Sequence, residues 1–222
     1  MSKKIAAITI GQAPRDDIIP DLKKLIGAET SIEVRGILDK LEMEEIKNLL
    51  PKDEEEILKT RLRNGTSVTL GYNSVVKGIK KCLSVLRAEK YEIIALLCTG
   101  DFPELEEEEG LVHTSKLLKE EVKKRIKKGI LGILIPSSEQ ILQTERKWKR
   151  RGIILTIASA SPYGEKEKVF SAVESLAKSK AELIVLDCIG YSLSIYKKLK
   201  KTTTIPLLLP LKLLARSISS FF

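Results

Sequence analysis

The feature that most constrains this chain is a repeated alternation of short apolar segments with longer segments of amphipathic helical periodicity. The apolar segments are rich in Ile, Leu and Val, as are strands buried on both faces of a parallel sheet. A strand-then-helix order predicts βα units and an α/β fold. The predicted strands are Lys4–Ile10, Ser31–Leu38, Ser67–Leu70, Ile93–Leu97, Gly132–Ile135, Ile153–Ile157, Leu183–Leu186 and Ile205–Leu208. The predicted helices are Asp17–Ile26, Met43–Leu50, Asp53–Asn64, Val75–Arg87, Ser115–Lys128, Ser138–Arg150, Lys166–Lys178, Tyr191–Leu199 and Leu211–Phe222, with Asn64-Gly65 as a helix C-cap.

Two of the predicted strands end in the same residues. An apolar strand is followed by a cysteine and a glycine in both Ile93-Ile-Ala-Leu-Leu-Cys98-Thr-Gly and Leu183-Ile-Val-Leu-Asp-Cys188-Ile-Gly. Ligands of parallel α/β sheets bind beyond the carboxyl ends of the strands, so we expect both thiols at functional edges. A chain of this length can form either one large α/β domain or two small lobes, and two lobes facing each other would bring the two thiols together. We expect residues 1–100 plus 204–222 in the N-terminal lobe and residues 101–203 in the C-terminal lobe.

Composition excludes several classes of protein. Three cysteines without a CxxC pair and a single histidine argue against a zinc site and against a disulfide framework. The net charge of +9 comes largely from basic clusters at the ends of predicted helices, where cations oppose the helix dipole. Aromatic residues are few, so nucleic-acid binding is the least favoured function. No uninterrupted apolar stretch reaches the ~20 residues of a membrane span, so we expect a cytoplasmic protein.

Four segments carry a family resemblance that extends over almost the whole chain. They are Thr9-Ile-Gly-Gln-Ala-Pro-Arg-Asp-Asp17, Leu97-Cys-Thr-Gly-Asp-Phe-Pro103, Ile133-Leu-Ile-Pro-Ser-Ser-Glu-Gln140 and Leu186-Asp-Cys-Ile-Gly-Tyr-Ser192. Together they resemble the successive motifs of AroM proteins, within the broader Asp/Glu racemase superfamily. The resemblance implies two related Rossmann-like α/β/α lobes with a cleft between them and a cysteine at a strand end of each. It also implies a cofactor-independent racemase or isomerase.

In racemases of this superfamily, one thiolate removes the proton α to a carboxylate and the opposite thiol delivers a proton to the other face. The resemblance therefore implies Cys98 and Cys188 as catalytic residues. The racemases follow their two cysteines with Asn-Thr and Thr-His, whereas Thr99-Gly100 and Ile189-Gly190 stand here. The carboxylate-binding donors of the racemases are therefore not carried over to this chain.

The residues themselves give a physical case for a cysteine pair. Racemisation needs an acid and a base on opposite faces of one carbon, and two like residues can exchange roles with direction. A thiol titrates near ~8.5, and a helix N-terminus or a cation lowers that value. Asp101 and Glu104 predict a capping box just after Cys98, although the acidic residues 106–109 would oppose a thiolate. A buried packing role is the alternative for both cysteines, and it is the favoured one for Cys82 within its helix.

The turn after the first strand is a candidate anion site. Gly11 and Gln12 open a tight turn, and Arg15 can fork onto a carboxylate or a phosphate. The alternative is that Asp16 or Asp17 caps the following helix while Arg15 pairs with nearby acidic residues. The site prediction gives Gly11, Gln12 and Arg15 a substrate-binding role.

Further strand-to-helix turns add candidate binding residues. Ser137 either caps a helix or is the counterpart of the Gly11 turn in the second lobe. His113 is either an acid–base partner or, more often for a lone histidine, a structural residue. The remaining predicted substrate-binding residues are Tyr72, Asn73, Thr99, Gly100, Gly190 and Tyr191, and capping is the alternative for the last four.

The sequence thus leads to one favoured hypothesis and two rivals. The favoured one is a racemase or isomerase, or a decarboxylase needing only Cys188, that acts on a small carboxylate without metal or cofactor. The first rival is a non-catalytic binder of a small carboxylate metabolite, connected with aromatic amino-acid metabolism through the family name. The second is a nucleic-acid-binding protein. A homodimer is compatible with all three.

Overall fold

The computed structural model describes residues 4–221, which form two compact α/β units. The first unit comprises residues 4–114 and 214–221, and the second comprises residues 115–213. The lobes expected from the sequence were residues 1–100 plus 204–222 and residues 101–203. Both expected boundaries therefore lie earlier in the chain than the boundaries between the two units. The predicted division into lobes remains a prediction.

A parallel four-stranded sheet forms the centre of the first unit, with strand order β2-β1-β5-β6. A two-stranded antiparallel hairpin, β3 and β4, is inserted after the second helix. The strands are β1 (Ile5–Thr9), β2 (Ile32–Gly36), β3 (Ile57–Arg61), β4 (Ser67–Gly71), β5 (Ile93–Leu97) and β6 (Leu111–His113). The helices are α1 (Ile19–Ile26), α2 (Met43–Lys47) and α3 (Tyr72–Ala88).

The second unit also has a parallel four-stranded sheet, with strand order β10-β9-β7-β8. Its strands are β7 (Gly129–Ile135), β8 (Ile153–Ser159), β9 (Leu183–Leu186) and β10 (Leu207–Leu208). The remaining helices of the chain are α4 (Thr114–Arg125), α5 (Ile141–Trp148), α6 (Lys166–Lys178), α7 (Leu193–Thr202) and α8 (Pro210–Ser219).

The two sheets have the same topology. Reading the second sheet from its other edge gives β8-β7-β9-β10, so β7, β8, β9 and β10 correspond to β1, β2, β5 and β6. The central strands β1, β5 and β9 are buried along their whole length, as expected for parallel strands covered on both faces by helices. The predicted α/β fold with two similar, Rossmann-like parallel-sheet lobes is therefore confirmed.

One predicted helix is wrong. Residues 53–64 were expected to be helical because Asp53-Glu-Glu-Glu is a typical helix start, but Ile57–Arg61 is a strand. Leu58 and Thr60 are buried and alternate with residues that are only half-buried, which is the period of a strand. The Asn64-Gly65 pair lies in the hairpin turn instead of capping a helix, and Gly65 has a positive φ of 87° there.

Two further differences concern the edges of the sheets and the end of the chain. Strand β6 was not predicted, because its three residues are too short to show a period. The last helix ends at Ser219, and the predicted end at Phe222 lies outside the described residues. Within residues 4–221, no helix is both long enough and apolar enough to cross a membrane.

Candidate functional site

The cysteines follow corresponding strands. In the first unit Thr9 pairs with Leu97, and in the second unit Leu134 pairs with Leu186. Superposing the two registers places Cys98 on Cys188, since both stand five residues after the first residue of their strand. The predicted cysteines therefore occupy the same topological position, just after the carboxyl end of β5 in the first sheet and of β9 in the second.

Cys98 is nearly enclosed within the first unit. Only 7% of its surface is exposed, and it belongs to the apolar core. The backbone N–H of Gly100 donates to its Sγ at 3.3 Å, a contact that favours negative charge on sulfur. Thr99, between them, is also buried. A side chain at Gly100 would collide with Phe102 and Leu58, because a Cβ there would lie within 3 Å of both side chains.

An aromatic and acidic group follows the Cys98 turn. Phe102 is fully buried, stacks on Tyr72 at 5.6 Å between ring centroids and meets the edge of the buried His113 at 6.0 Å. The Tyr72 hydroxyl donates to Glu104 Oε2 at 2.5 Å. Burial first, and then the Glu104 carboxylate, raise the pKa of Tyr72 well above its ordinary value, so Tyr72 is a neutral hydrogen-bond donor.

The helix expected after Cys98 is not formed. Only a three-residue 3-10 turn, Pro103–Leu105, begins there, and Phe102 stands at its N-cap. Glu104 bonds to Tyr72, so it is engaged away from the predicted capping box. A full helix follows the other cysteine instead: Ser192 caps α7 by accepting from the Ile195 N–H at 3.2 Å.

The Gly11 turn holds Arg15 against a carboxylate of its own chain. The Arg15 guanidinium forks onto Asp17, with Nε–Oδ1 at 2.9 Å and Nη2–Oδ2 at 2.8 Å, and Nη1 donates to Thr9 Oγ1 at 2.7 Å. Arg15 is 5% exposed. The pairing alternative for Arg15 is thus observed, whereas the helix that follows has Ile18 at its N-cap without a side-chain bond. The role of Arg15 as anion anchor remains a prediction.

Gln12 links this turn to the hairpin. Its N–H donates to Arg61 O at 3.2 Å, its Nε2 donates to Leu38 O at 3.2 Å, and its Oε1 accepts from the Arg63 N–H at 2.9 Å. Gly11 has to be glycine, because a Cβ would lie 2.3 Å from Arg61 O. Both residues are therefore needed for local structure.

Asn73 is the second residue of α3 and follows Tyr72. Its N–H donates to Glu55 Oε1 at 2.7 Å, and the Lys52 N–H donates to the other oxygen at 2.9 Å. Desolvation opposes ionisation of Glu55, but these two N–H donors outweigh it and lower the pKa of Glu55. Asn73 is thus held in place by a carboxylate at the start of the helix.

Ser137 corresponds to Gly11. Ile135 ends β7 as Thr9 ends β1, and Ile135 O accepts from Ala160 N at 2.9 Å as Thr9 O accepts from Ile37 N at 3.0 Å. Ser137 precedes a 3-10 turn, Ser138–Gln140, but makes no side-chain capping bond. The structure therefore favours its interpretation as the counterpart of the Gly11 turn over a cap.

Gly190 and Tyr191 complete the Cys188 turn. A Cβ at Gly190 would lie 2.4 Å from the Tyr163 hydroxyl, so a side chain there would have to displace that ring. Tyr191 is fully buried, and its hydroxyl donates to Ala160 O at 2.7 Å. Burial, with smaller contributions from Cys188 and Asp187, raises the pKa of Tyr191 well above its ordinary value. Tyr163 was not predicted from the sequence.

A buried charged cluster beside Cys188 was also missed. Asp187, the preceding residue, accepts from Lys147 Nζ at 2.7 and 2.8 Å and from Trp148 Nε1 at 2.7 Å. The side chains of Lys147 and Asp187 are 9% and 5% exposed. An aspartate that closes an otherwise apolar strand was the available signal, since such a residue needs a partner when it is buried. Within residues 4–221, no group of three or more His, Cys, Asp or Glu side chains is arranged to hold a metal ion.

The architecture defines the class of protein. Two parallel four-stranded sheets of equal topology, each flanked by helices, form an Asp/Glu racemase-like fold. The family model described as AroM protein matches residues 5–222, so the chain belongs to the AroM family. The predicted membership is thereby confirmed.

Solved structures support the fold at low sequence identity. Allantoin racemase from Klebsiella pneumoniae is 12% identical, with a TM-score of 0.63 over 99% of this chain and 87% of the racemase. Glutamate racemase from Bacillus anthracis is 10% identical, with a TM-score of 0.62 over 99% and 81% of the two chains. Unliganded arylmalonate decarboxylase is 9% identical, with a TM-score of 0.61 over 99% and 92%. The sequence matches no protein that has a curated description.

Proposed function

We propose that this chain is a cofactor-independent enzyme of racemase or isomerase type that moves the proton α to the carboxylate of a small molecule. Cys98 and Cys188 are the proposed acid/base pair. The observation that carries the proposal is their equivalence: each follows the corresponding strand of its sheet, at the carboxyl end where α/β proteins bind ligands.

The proposed chemistry needs no group other than two thiols. The thiolate of one cysteine takes the α proton, forming an S–H bond while the electron pair of the C–H bond moves onto the carboxylate. The other thiol then returns a proton to the carbon, and the electron pair moves back into the new C–H bond. Because both residues are thiols, the reverse reaction uses the same two groups with their roles exchanged.

A carboxylate substrate is supported by the chemistry of the Gly11 turn. Arg15 already grips one carboxylate, that of Asp17, in the two-point geometry that suits a ligand carboxylate. The other proposed substrate-binding residues lie on turns after strands or at the start of α3, and they are Gly11, Gln12, Tyr72, Asn73, Thr99, Gly100, Ser137, Gly190 and Tyr191. Glutamate racemases and an arylmalonate decarboxylase, which share the fold, are named for carboxylate substrates.

A one-cysteine version is the alternative within the same enzyme class. Decarboxylation leaves a carbanion that needs a single proton, so one thiol is sufficient for it. Cys188 is the proposed donor in that case, because it is less enclosed than Cys98 and precedes the capped helix α7. The structural similarity to arylmalonate decarboxylase supports this one-cysteine version, just as the similarity to the racemases supports the two-cysteine version.

Solvent exchange and conversion of enantiomers together separate the two versions. The protein is incubated in D2O with a panel of small carboxylates, including both enantiomers of glutamate and of aspartate and the acids of the shikimate pathway. Loss of the α-proton signal is followed by NMR. Conversion of one enantiomer into the other, measured by chiral chromatography, should be abolished by Cys98→Ser and by Cys188→Ser, while Cys82→Ser, the matched control within α3, should preserve it. Intact conversion in Cys98→Ser would contradict the two-base version.

The burial of Cys98 favours a second candidate function, a non-catalytic binder of a small carboxylate metabolite. A cysteine that is 7% exposed and packed in an apolar core also suits a purely structural role. A thermal-shift screen with the same acids tests this candidate. A rise in Tm with one acid, without any exchange or product on prolonged incubation, would favour binding over catalysis.

A further inference from the structure

The charged cluster beside Cys188 is not used by the proposed proton transfer. Both carboxylate oxygens of Asp187 accept from Lys147 Nζ, and Oδ2 also accepts from Trp148 Nε1. The backbone N–H of Asp187 donates to Leu134 O at 2.8 Å. The cluster therefore fixes the end of β9, one residue before the sulfur, and ties it to α5.

Packing alone does not account for this cluster. The corresponding residue of the first unit is Leu97, which is 1% exposed and carries no charge. An apolar residue thus satisfies the fold at this position. A buried ion pair costs desolvation free energy that a leucine does not, and replacing such pairs by apolar residues is often neutral or stabilising. A role connected with the charges themselves is the remaining explanation.

We propose that Lys147 and Asp187 are positioning residues that set how readily Cys188 ionises. This inference rests on the proposed function, in which Cys188 acts as acid or base. The carboxylate of Asp187, on the residue next to the sulfur, opposes a thiolate, and the ammonium of Lys147 offsets that carboxylate. The ion pair keeps the net charge on the residues beside the thiol near zero, and loss of either member would change that charge.

Other groups near Cys188 stay constant in this scheme. Tyr191 on the same turn remains neutral, because burial raises its pKa, and the Tyr163 hydroxyl lies over Gly190 from the turn after β8. The start of α7, at Leu193, is fixed by its Ser192 cap. A substitution in the Lys147–Asp187 pair therefore changes the charge beside Cys188 and leaves Tyr191, Tyr163 and the Ser192 cap in place.

The pH dependence of alkylation tests the pair without any substrate. The full chain is treated with iodoacetamide between pH 6 and 10, and the rate at Cys188 is read from its own peptide by mass spectrometry. Asp187→Asn leaves the Lys147 charge uncompensated and should lower the midpoint by about one pH unit. Lys147→Met should raise the midpoint, and the double variant should return it close to that of the unaltered chain.

Two controls keep the test decisive. Trp148→Phe removes a neutral donor and should leave the midpoint in place, and Lys147→Arg keeps the charge and should do the same. If Asp187→Asn does not fold, the difference between Lys147→Arg and Lys147→Met decides the sign. An unchanged midpoint in Asp187→Asn would overturn the inference. It would also be overturned if both single variants and the double variant shifted the midpoint in the same direction.

The outcome is separable from that of the proposed function. Opposite midpoint shifts without deuterium exchange on any acid would uphold the pair and contradict the enzyme. If deuterium exchange depends on Cys188 but the alkylation midpoint changes with neither charge, the proposed enzymatic function is supported and the proposed role of the ion pair is contradicted.

Discussion

The two units share a strand order but surround their cysteines differently. In the first unit the turn after β5 continues into a 3-10 turn, with a neutral tyrosine bonded to Glu104 nearby. In the second unit the turn after β9 leads to a capped helix and is preceded by a buried ion pair. The two units share the strand order but differ in the charges around their cysteines, so we expect the two thiols to have unequal roles.

The largest effect should come from breaking the ion pair. Lys147→Met leaves Asp187 buried without its cation, which should lower the free energy of unfolding by about 3 to 5 kcal/mol in urea titrations. The triple variant Asp187→Leu, Lys147→Met, Trp148→Phe imitates the apolar position of Leu97 and should recover most of that loss. A triple variant less stable than Lys147→Met would show that the two units are not equivalent here.

The corresponding glycines sharpen the comparison at a smaller scale. A methyl group at Gly100 meets the buried Phe102 and Leu58, so Gly100→Ala should cost about 1 to 3 kcal/mol of stability. At Gly190 the obstacle is the half-buried Tyr163, whose ring can move outward, so Gly190→Ala should cost less than about 1 kcal/mol. Thermal denaturation of both variants measures the difference. Equal costs would mean that Tyr163 is as fixed as Phe102.

The third comparison concerns alkaline pH. The pKa of Tyr191 in the folded chain lies above its unfolded value near ~10, so its contribution to stability is complete below that pH and is lost as pH rises through the folded pKa. Tyr191→Phe should cost about 1 kcal/mol at pH 7 through the lost bond to Ala160 O, and it should flatten the decline of stability above pH 10. Urea titrations at pH 7 and pH 10.5 provide the measurement, and an unchanged slope would contradict it.

The strand pattern and the cysteine positions could be predicted from the sequence. Apolar segments such as Ile93–Leu97 and Leu183–Leu186 are long enough and uniform enough to identify buried parallel strands, and their shared Cys-Xaa-Gly ending indicated the duplication. The hairpin could not be recognised so easily, because the acidic start at Asp53 favours a helix locally while tertiary contacts to Gly11 and Gly100 favour a strand.

The surroundings of the cysteines were harder to predict. Lys147 and Asp187 are 40 residues apart in the chain, and only the packing of α5 on the sheet brings them together. Arg15 was predicted to bind an anion, but its partner in the structure is Asp17, two residues away. The sequence does not show whether such an arginine binds a ligand or the carboxylate of a neighbouring residue. Pairings of this kind depend on side-chain geometry, which periodicity does not encode.

The hairpin and the Gly11 turn are joined into one cooperative element. The N–H of Gln12 is bonded to Arg61, and the backbone and side chain of Arg63 are bonded back to Gln12 and Ala13. The turn and the hairpin cannot separate from each other without breaking these three bonds. We therefore expect the amide protons of Gln12 and Arg63 to exchange with water through a shared opening of the hairpin and the turn that carries Arg15.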